Sequence, residues 1–184
     1  MRSGRGIGLL PFLAMLSAAA GANAGSATEC EVLLDLPPAP LYGTMMLSEG
    51  VAKAPGLLIL RGSGPVDRDG NFPGSKNDSL KLLARGLAER GIASLRIDKR
   101  GIGASREAAP DEAVLRVRTY AEDAAHWLDR FHAEPRISRL FILGHSEGAL
   151  IAPRSGARSP GSSCSRRQAS GSAPSFAVNS PPPV

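Results

Sequence analysis

The sequence predicts an α/β fold in which a mostly parallel sheet carries helices on its faces, and two observations lead there. Segments 56–60, 92–97 and 140–143 are short, almost continuously apolar runs, as expected of strands covered on both sides. Between them lie two stretches with apolar residues at helical spacing. The order strand–helix–strand–helix–strand is the repeat from which parallel sheets are built. A chain of 184 residues is long enough for one such domain or for part of a larger one.

The elements follow in order. Residues 1–24 read as a secretory signal peptide: Arg2 and Arg5 precede an apolar stretch from Ile7 to Ala20, and Ala22-Asn23-Ala24 supplies a small-x-small cleavage site. That stretch is shorter than the roughly 20 residues of a membrane span, so cleavage is expected rather than an uncleaved anchor. The mature chain would start near Gly25, secreted or periplasmic, with no stable membrane span. Cys30 follows Thr28-Glu29, a poor lipobox.

Segments 31–36 and 41–47 suit two short antiparallel strands parted by Pro37-Pro38-Ala39-Pro40. Strand 56–60 leads into a loop rich in Gly and Pro over 61–74. Asp78 or Ser79 can cap a helix that carries Leu80, Leu83, Ala84 and Leu87 on one face, with Gly91 at its C′ position. Asn77-Asp78-Ser79 also fits a glycosylation sequon, but behind a bacterial-looking signal it reads as an N-cap region. Strand 92–97 ends at Asp98. Thr119-x-x-Glu122 resembles a capping box, and Ala121, Ala124, Ala125, Leu128 and Phe131 make a helical stripe that stops before Pro135. The third buried strand is 140–143.

Residues 25–151 are thus the part expected to fold. Segment 152–184 holds nine Ser and six Pro but no Lys, Asp or Glu, and it has no apolar periodicity. It cannot bury enough surface to offset its ordering entropy, so a disordered low-complexity tail is expected. The abrupt change of composition points to a frameshift or a faulty gene reading from about residue 152.

Charge excludes one function class. The formal net charge is +5, with Arg2 and Arg5 at one end and Arg154, Arg158, Arg166 and Arg167 at the other. Removing those two and those four leaves −1 for residues 25–151, so the foldable part carries no electrostatic footprint for nucleic acid. Two cysteines are too few for a disulfide-built scaffold or a zinc ribbon.

Three strand ends carry the chemistry. Gly144-His145-Ser146-Glu147-Gly148 stands between an apolar strand and the apolar start of a helix. A serine at so sharp a turn needs a strained backbone, and neighbours without side chains make room for it. The turn lifts Oγ clear of the sheet and sets a helix N-terminus beneath it, where developing negative charge is favoured. G-x-S-x-G alone is a weak pattern, and its flanking elements give it force. Ser146 is the candidate nucleophile, and Gly144, His145 and Gly148 complete the elbow.

Arg61-Gly62-Ser63-Gly64-Pro65 follows the 56–60 strand. Acyl transfer needs two N–H groups aimed at an oxyanion, one from the residue after the nucleophile and one from a loop after an earlier strand. The backbone N–H groups of Glu147 and Ser63 are the candidates. The adjoining Asp67-Arg68-Asp69-Gly70-Asn71 fails as a calcium loop, because Lys76 falls where the bidentate glutamate belongs.

Asp98-Lys99-Arg100-Gly101-Ile102-Gly103-Ala104-Ser105 follows the 92–97 strand. It lacks GxGxxG spacing, and no GxxxxGK[ST] occurs, so nucleotide binding has no support. It reads as a structural turn beside the site, with Asp98 and Arg100 as hydrogen-bonding residues.

Together these motifs resemble the α/β-hydrolase superfamily, and within it exported hydrolases of the serine aminopeptidase S33 and dienelactone-hydrolase-like group. The likeness rests on segments 60–71, 96–105 and 144–148 and covers residues 31–151, the N-terminal part of such a domain. It implies a Ser-Asp-His triad, an acyl-enzyme, a small-molecule ester or amide substrate, and no metal or organic cofactor. In this fold the acid and the histidine follow the serine in chain order. After Ser146 there is no His and no Asp; His126, His132 and His145 all precede it. His126 and His132 read as surface or packing residues of the second helix. The expectation is therefore a truncated serine ester hydrolase, inactive as it stands because Ser146 lacks a base. The alternative is a non-catalytic fragment or pseudo-enzyme with at most a binding role.

Overall fold

The computed structural model describes residues 26–109, 111, 113, 115–155 and the backbone of 176–179. The signal peptide expected over residues 1–24 lies outside them, as does most of the expected tail. The strands are β1 (Ala27–Leu34), β2 (Leu41–Ser48), β3 (Ala54–Leu60), β4 (Ala93–Ile97), β5 (Ile137–His145) and β6 (Phe176–Asn179). The α-helices are α1 (Ser79–Ala88), α2 (Val117–His132) and α3 (Glu147–Ile151), with 3₁₀ turns at Gly103–Ala108 and Ala152–Arg154.

The strands form one sheet in the order β1-β2-β4-β3-β5-β6. Only β3–β4 and β3–β5 are parallel; β1–β2, β2–β4 and β5–β6 are antiparallel. The expectation of a mostly parallel sheet is corrected to a mixed one. The physical reason is connection length. Parallel neighbours need a crossover, and the helices of the β3-α1-β4 and β4-α2-β5 segments supply it. The short links after β1 and β2 reverse the chain.

β5 is not an edge strand of the sheet. β6 lies against β5, with Leu143 opposite Val178 and His145 opposite Phe176. Ala152–Arg154 also continues the helical path of α3, so the four residues 152–155 are ordered structure.

Adjacent methionines divide the two faces of the sheet. Met45 joins the main core with Trp127 and Phe131 of α2, while Met46 packs with Ala84 and Ala88 of α1. Side chains alternate along a strand, so α1 and α2 cover opposite faces. Glycines admit the rings of α2: a Cβ on Gly43 would lie 3.1 Å from Trp127 Cη2, and one on Gly56 would lie 2.8 Å from Phe131 Cζ.

Two helix starts differ from expectation. Asp78 is the N-cap of α1 but makes no side-chain cap bond. Its carboxylate instead accepts from Asn71 Nδ2, while Leu80 N donates to the Asp69 carbonyl and Ser79 N to Asn77 Oδ1. The Thr119-Glu122 capping box does not form, because α2 begins at Val117. Glu122 pairs with Arg118 one turn back.

Candidate active site

Register brings the two motif loops together. In the parallel β3–β5 pair, Leu60 is opposite Gly144, so the chain leaves the sheet at Arg61 and at His145 side by side. On the other flank of β3, Ile59 is opposite Arg96, which sends segment 98–105 out at the same edge. Open α/β sheets hold their ligands at this carboxyl edge.

Ser146 has φ 52° and ψ −117°, one of two non-glycine residues with positive φ among the described residues. Such a conformation costs a side-chain-bearing residue on the order of 1–3 kcal/mol. Neighbouring glycines make the turn possible. A Cβ on Gly144 would sit 2.5 Å from the Gly148 carbonyl oxygen, and one on Gly148 would run into the Leu60 carbonyl. Ser146 itself is exposed. Gly62 packs against it so closely that a Cβ there would lie 3.1 Å from Ser146 Cβ.

Both candidate oxyanion donors border one open cleft of about 630 Å³, lined by Ser63, Pro65, Lys99, Tyr120 and Glu147 among others. Leu115 and Val117 add an apolar wall. That size suits a small organic molecule. Glu147 is the first residue of α3, whose opening N–H groups have no partner within the helix. The Glu147 side chain turns to Lys99, with Oε2 2.6 Å from Nζ. Lys99 Nζ also stands 4.9 Å from the Tyr120 ring centroid. Burial pushes the Lys99 ammonium below its ordinary value, opposed by its bond to Glu147.

Asp98 and Arg100 build the scaffold. Asp98 Oδ1 accepts from Arg68 N at 2.7 Å and Oδ2 from Ala104 N at 3.0 Å. Arg68 reaches from Asp98 to Glu31, which ties the loop after β3 to the edge strand. Gly103, at φ 55°, lets the turn wrap the carboxylate, since a Cβ there would lie 2.6 Å from Asp98 Oδ2. Arg100 forms a fork on Asp123, with Nε–Oδ2 at 2.7 Å and Nη2–Oδ1 at 2.8 Å. In the 67–71 loop, Asp67 Oδ1 accepts from Asp69 N and Asn71 N, while Asp69 Oδ1 lies 3.2 Å from Arg96 Nη2 of β4.

His126 and His132 lie exposed on α2. His145 ends β5, its Nδ1 beside Gly62. Three residues of the site were not singled out in the sequence. Lys99 and Tyr120 carry no motif signal. Arg61 stands within the oxyanion segment, yet only its buried position makes it distinctive. It is 4% exposed, and its Nη1 donates to the carbonyls of Gly62 at 3.3 Å and Gly64 at 3.0 Å.

Comparison with known proteins bears on the family and the fold. The family model described as serine aminopeptidase, S33 matches residues 75–184, which include the elbow. Esterase EstD of Thermotoga maritima is 32% identical over 120 residues, 65% of this chain and 28% of that protein. A cold-adapted esterase from an Arctic intertidal metagenomic library aligns with TM-score 0.54 and 20% identity, over 72% of this chain and 56% of its own. Esterase Est22 aligns with TM-score 0.52 and 19% identity, over 74% and 40%. These solved structures establish the fold alone. The chain spans 28% of the curated relative and about half of the two solved structures.

Proposed function

The chain belongs to the serine aminopeptidase S33 family, and on that premise we propose that it is a serine hydrolase acting on carboxylic esters, with amides as a second substrate class, through an acyl-enzyme at Ser146. The observation that carries the reading is the left-handed backbone of Ser146, held at a strand-to-helix turn against Gly62. In the reaction, Ser146 Oγ attacks the ester carbonyl and its proton ends on the leaving alkoxide oxygen. The N–H groups of Ser63 and Glu147 receive the oxyanion, the alcohol departs, and water releases the acid. The apolar wall of Leu115 and Val117 suits a hydrocarbon portion of the substrate. The esterase name of its Thermotoga maritima relative favours the ester class.

Residues 147–184 offer neither His nor Asp to take the serine proton. A serine without a base keeps its high pKa, so turnover by these 184 residues is slow; an oxyanion hole with substrate binding still supports ~10³–10⁴-fold over water when triad members are lost. That same observation favours a second reading, a non-catalytic fragment or pseudo-enzyme with at most a binding role. A fluorophosphonate probe on the full chain separates the two. Labelling that disappears in Ser146→Ala supports the hydrolase, and a folded chain that stays unlabelled supports the non-catalytic reading. Export is part of the proposal, on the signal-like residues 1–24, and N-terminal sequencing of the extracytoplasmic protein at Gly25 tests it. Among the described residues no helix is long and apolar enough to cross a membrane.

A further inference from the structure

We infer that Arg61 is a positioning residue, whose buried guanidinium holds the Gly62–Ser63 peptide so that the Ser63 N–H faces the cleft beside Ser146. The inference rests on the reading of Ser146 as nucleophile. The Gly62–Ser63 bond is trans, since the cis bond among the described residues is Pro37–Pro38. In a trans peptide the C=O and the N–H point in opposite directions. Arg61 Nη1 draws the Gly62 carbonyl and the Gly64 carbonyl to one point on the protein side of the loop. The intervening Ser63 N–H is left facing outward, and Ser63 lies on the cleft wall with Glu147.

Arg61 has no other task in view. Its Nε and Nη2 are buried without a hydrogen-bond partner among the described residues. The adjoining cavity, lined by Leu41, Leu60, Trp127 and Ile151 with Asp98 and Lys99, has a volume of about 20 Å³. That is room for a single water and for no part of a substrate. Asp98, Asp67 and Glu147 act on the guanidinium at longer range. A side chain that keeps its charge in so enclosed a place, with two nitrogens unpaired, is costly to fold around. The fixed loop is what the fold gains. Because one nitrogen, Nη1, serves both carbonyls, a lysine ammonium that reached the same point could copy part of the role.

The test uses the full chain and its Arg61→Met and Arg61→Lys variants. Fluorophosphonate labelling of Ser146 is resolved into reagent affinity and the rate of the bonded step. Misdirecting one oxyanion donor is expected to slow that step about 10²-fold in Arg61→Met while affinity stays within twofold, and Arg61→Lys should recover part of the rate. Crystal structures supply the second readout: the wild-type Ser63 N–H points towards Ser146, and in Arg61→Met the Gly62–Ser63 peptide turns. In Arg61→Met, a bonded step within threefold of wild type, or an unmoved peptide, overturns the inference. If the wild-type chain does not label, the hydrolase reading fails while the two peptide orientations still decide the role of Arg61. Should neither variant fold, a wild-type Ser63 N–H directed away from Ser146 overturns it.

Discussion

Lys99 and Glu147 form a 2.6 Å ion pair that joins the carboxyl end of β4 to the first residue of the elbow helix, 48 positions away in sequence. Lys99 is 10% exposed and Glu147 25%, so the pair is partly shielded from water. Lys99 Nζ also stands 4.9 Å from the Tyr120 ring centroid, a cation–π contact that methionine would lose. Lys99→Met is expected to cost about 2 kcal/mol by leaving the Glu147 carboxylate without its cation. Adding Glu147→Gln should return most of that. A double-mutant cycle measured by urea unfolding checks it, and strict additivity of the two changes would count against the pair.

Gly148 is predicted to be the least replaceable residue of the elbow. Its missing side chain is the space in which the Leu60 carbonyl lies. The obstacle is backbone on both sides, which no rotamer change relieves. Gly148→Ala should destabilise the fold by about 3 kcal/mol or more by forcing α3 away from β3. Gly64→Ala makes the contrast. No atom lies within 4 Å of a Cβ there, although φ is 91°, so only backbone strain opposes it, on the order of 1–3 kcal/mol. Equal losses for the two variants, read as urea midpoints, would contradict the packing argument.

Asp98 should leave a mark on the pH dependence of stability. Burial raises its carboxyl above the ordinary 3.8, while the N–H groups of Ala104 and Arg68 and the charge of Arg68 pull it down without prevailing. Over the window from that ordinary value to the raised one, the native state keeps a proton that the unfolded chain has released. Its contribution is full below the window and falls away as pH rises through it. The stability of wild type minus that of Asp98→Asn should therefore shrink as pH is raised from about 3.5 and become level above the window. Unfolding curves across that range test the sign, and a difference that grows with pH would refute it.

The contrast between Ser146 and Arg61 explains what was legible in the sequence. A nucleophile elbow is local: its glycines, serine, preceding strand and following helix all fall within about a dozen consecutive residues, so the pattern can be read without a fold. Arg61 is exceptional only because it is buried and bends back onto its own loop, which follows from the packing of Leu41, Trp127 and Ile151 around it. The beginning of β1 escaped for a similar reason. Glu29 looks unlike a strand residue until Arg96 and Lys81 appear beside it. Strand direction needed the order of the sheet: nothing local in 41–47 says that it will lie beside β4 rather than β3. The missed capping box shows the limit of short motifs, since a shift of the helix start to Val117 left Thr119 in the helix and Glu122 to Arg118.

Ser146 is expected to store strain, and glycine at its position should release it. A φ of 52° with ψ of −117° is open to glycine at no steric cost. The strain in a side-chain-bearing residue there is on the order of 1–3 kcal/mol. Glycine gives part of this back, because its freer unfolded chain costs roughly 0.4–1 kcal/mol. Ser146→Gly should therefore be more stable than wild type by about 1 kcal/mol, while Ser146→Ala, which keeps a Cβ at the same backbone angles, should stay near wild type. Both lose the hydroxyl and with it any fluorophosphonate labelling. Thermal and urea unfolding of the three proteins under identical conditions decide the matter. A Ser146→Gly chain less stable than Ser146→Ala would mean that the turn is relaxed, and it would remove the physical ground for regarding Ser146 as a side chain held upright for chemistry.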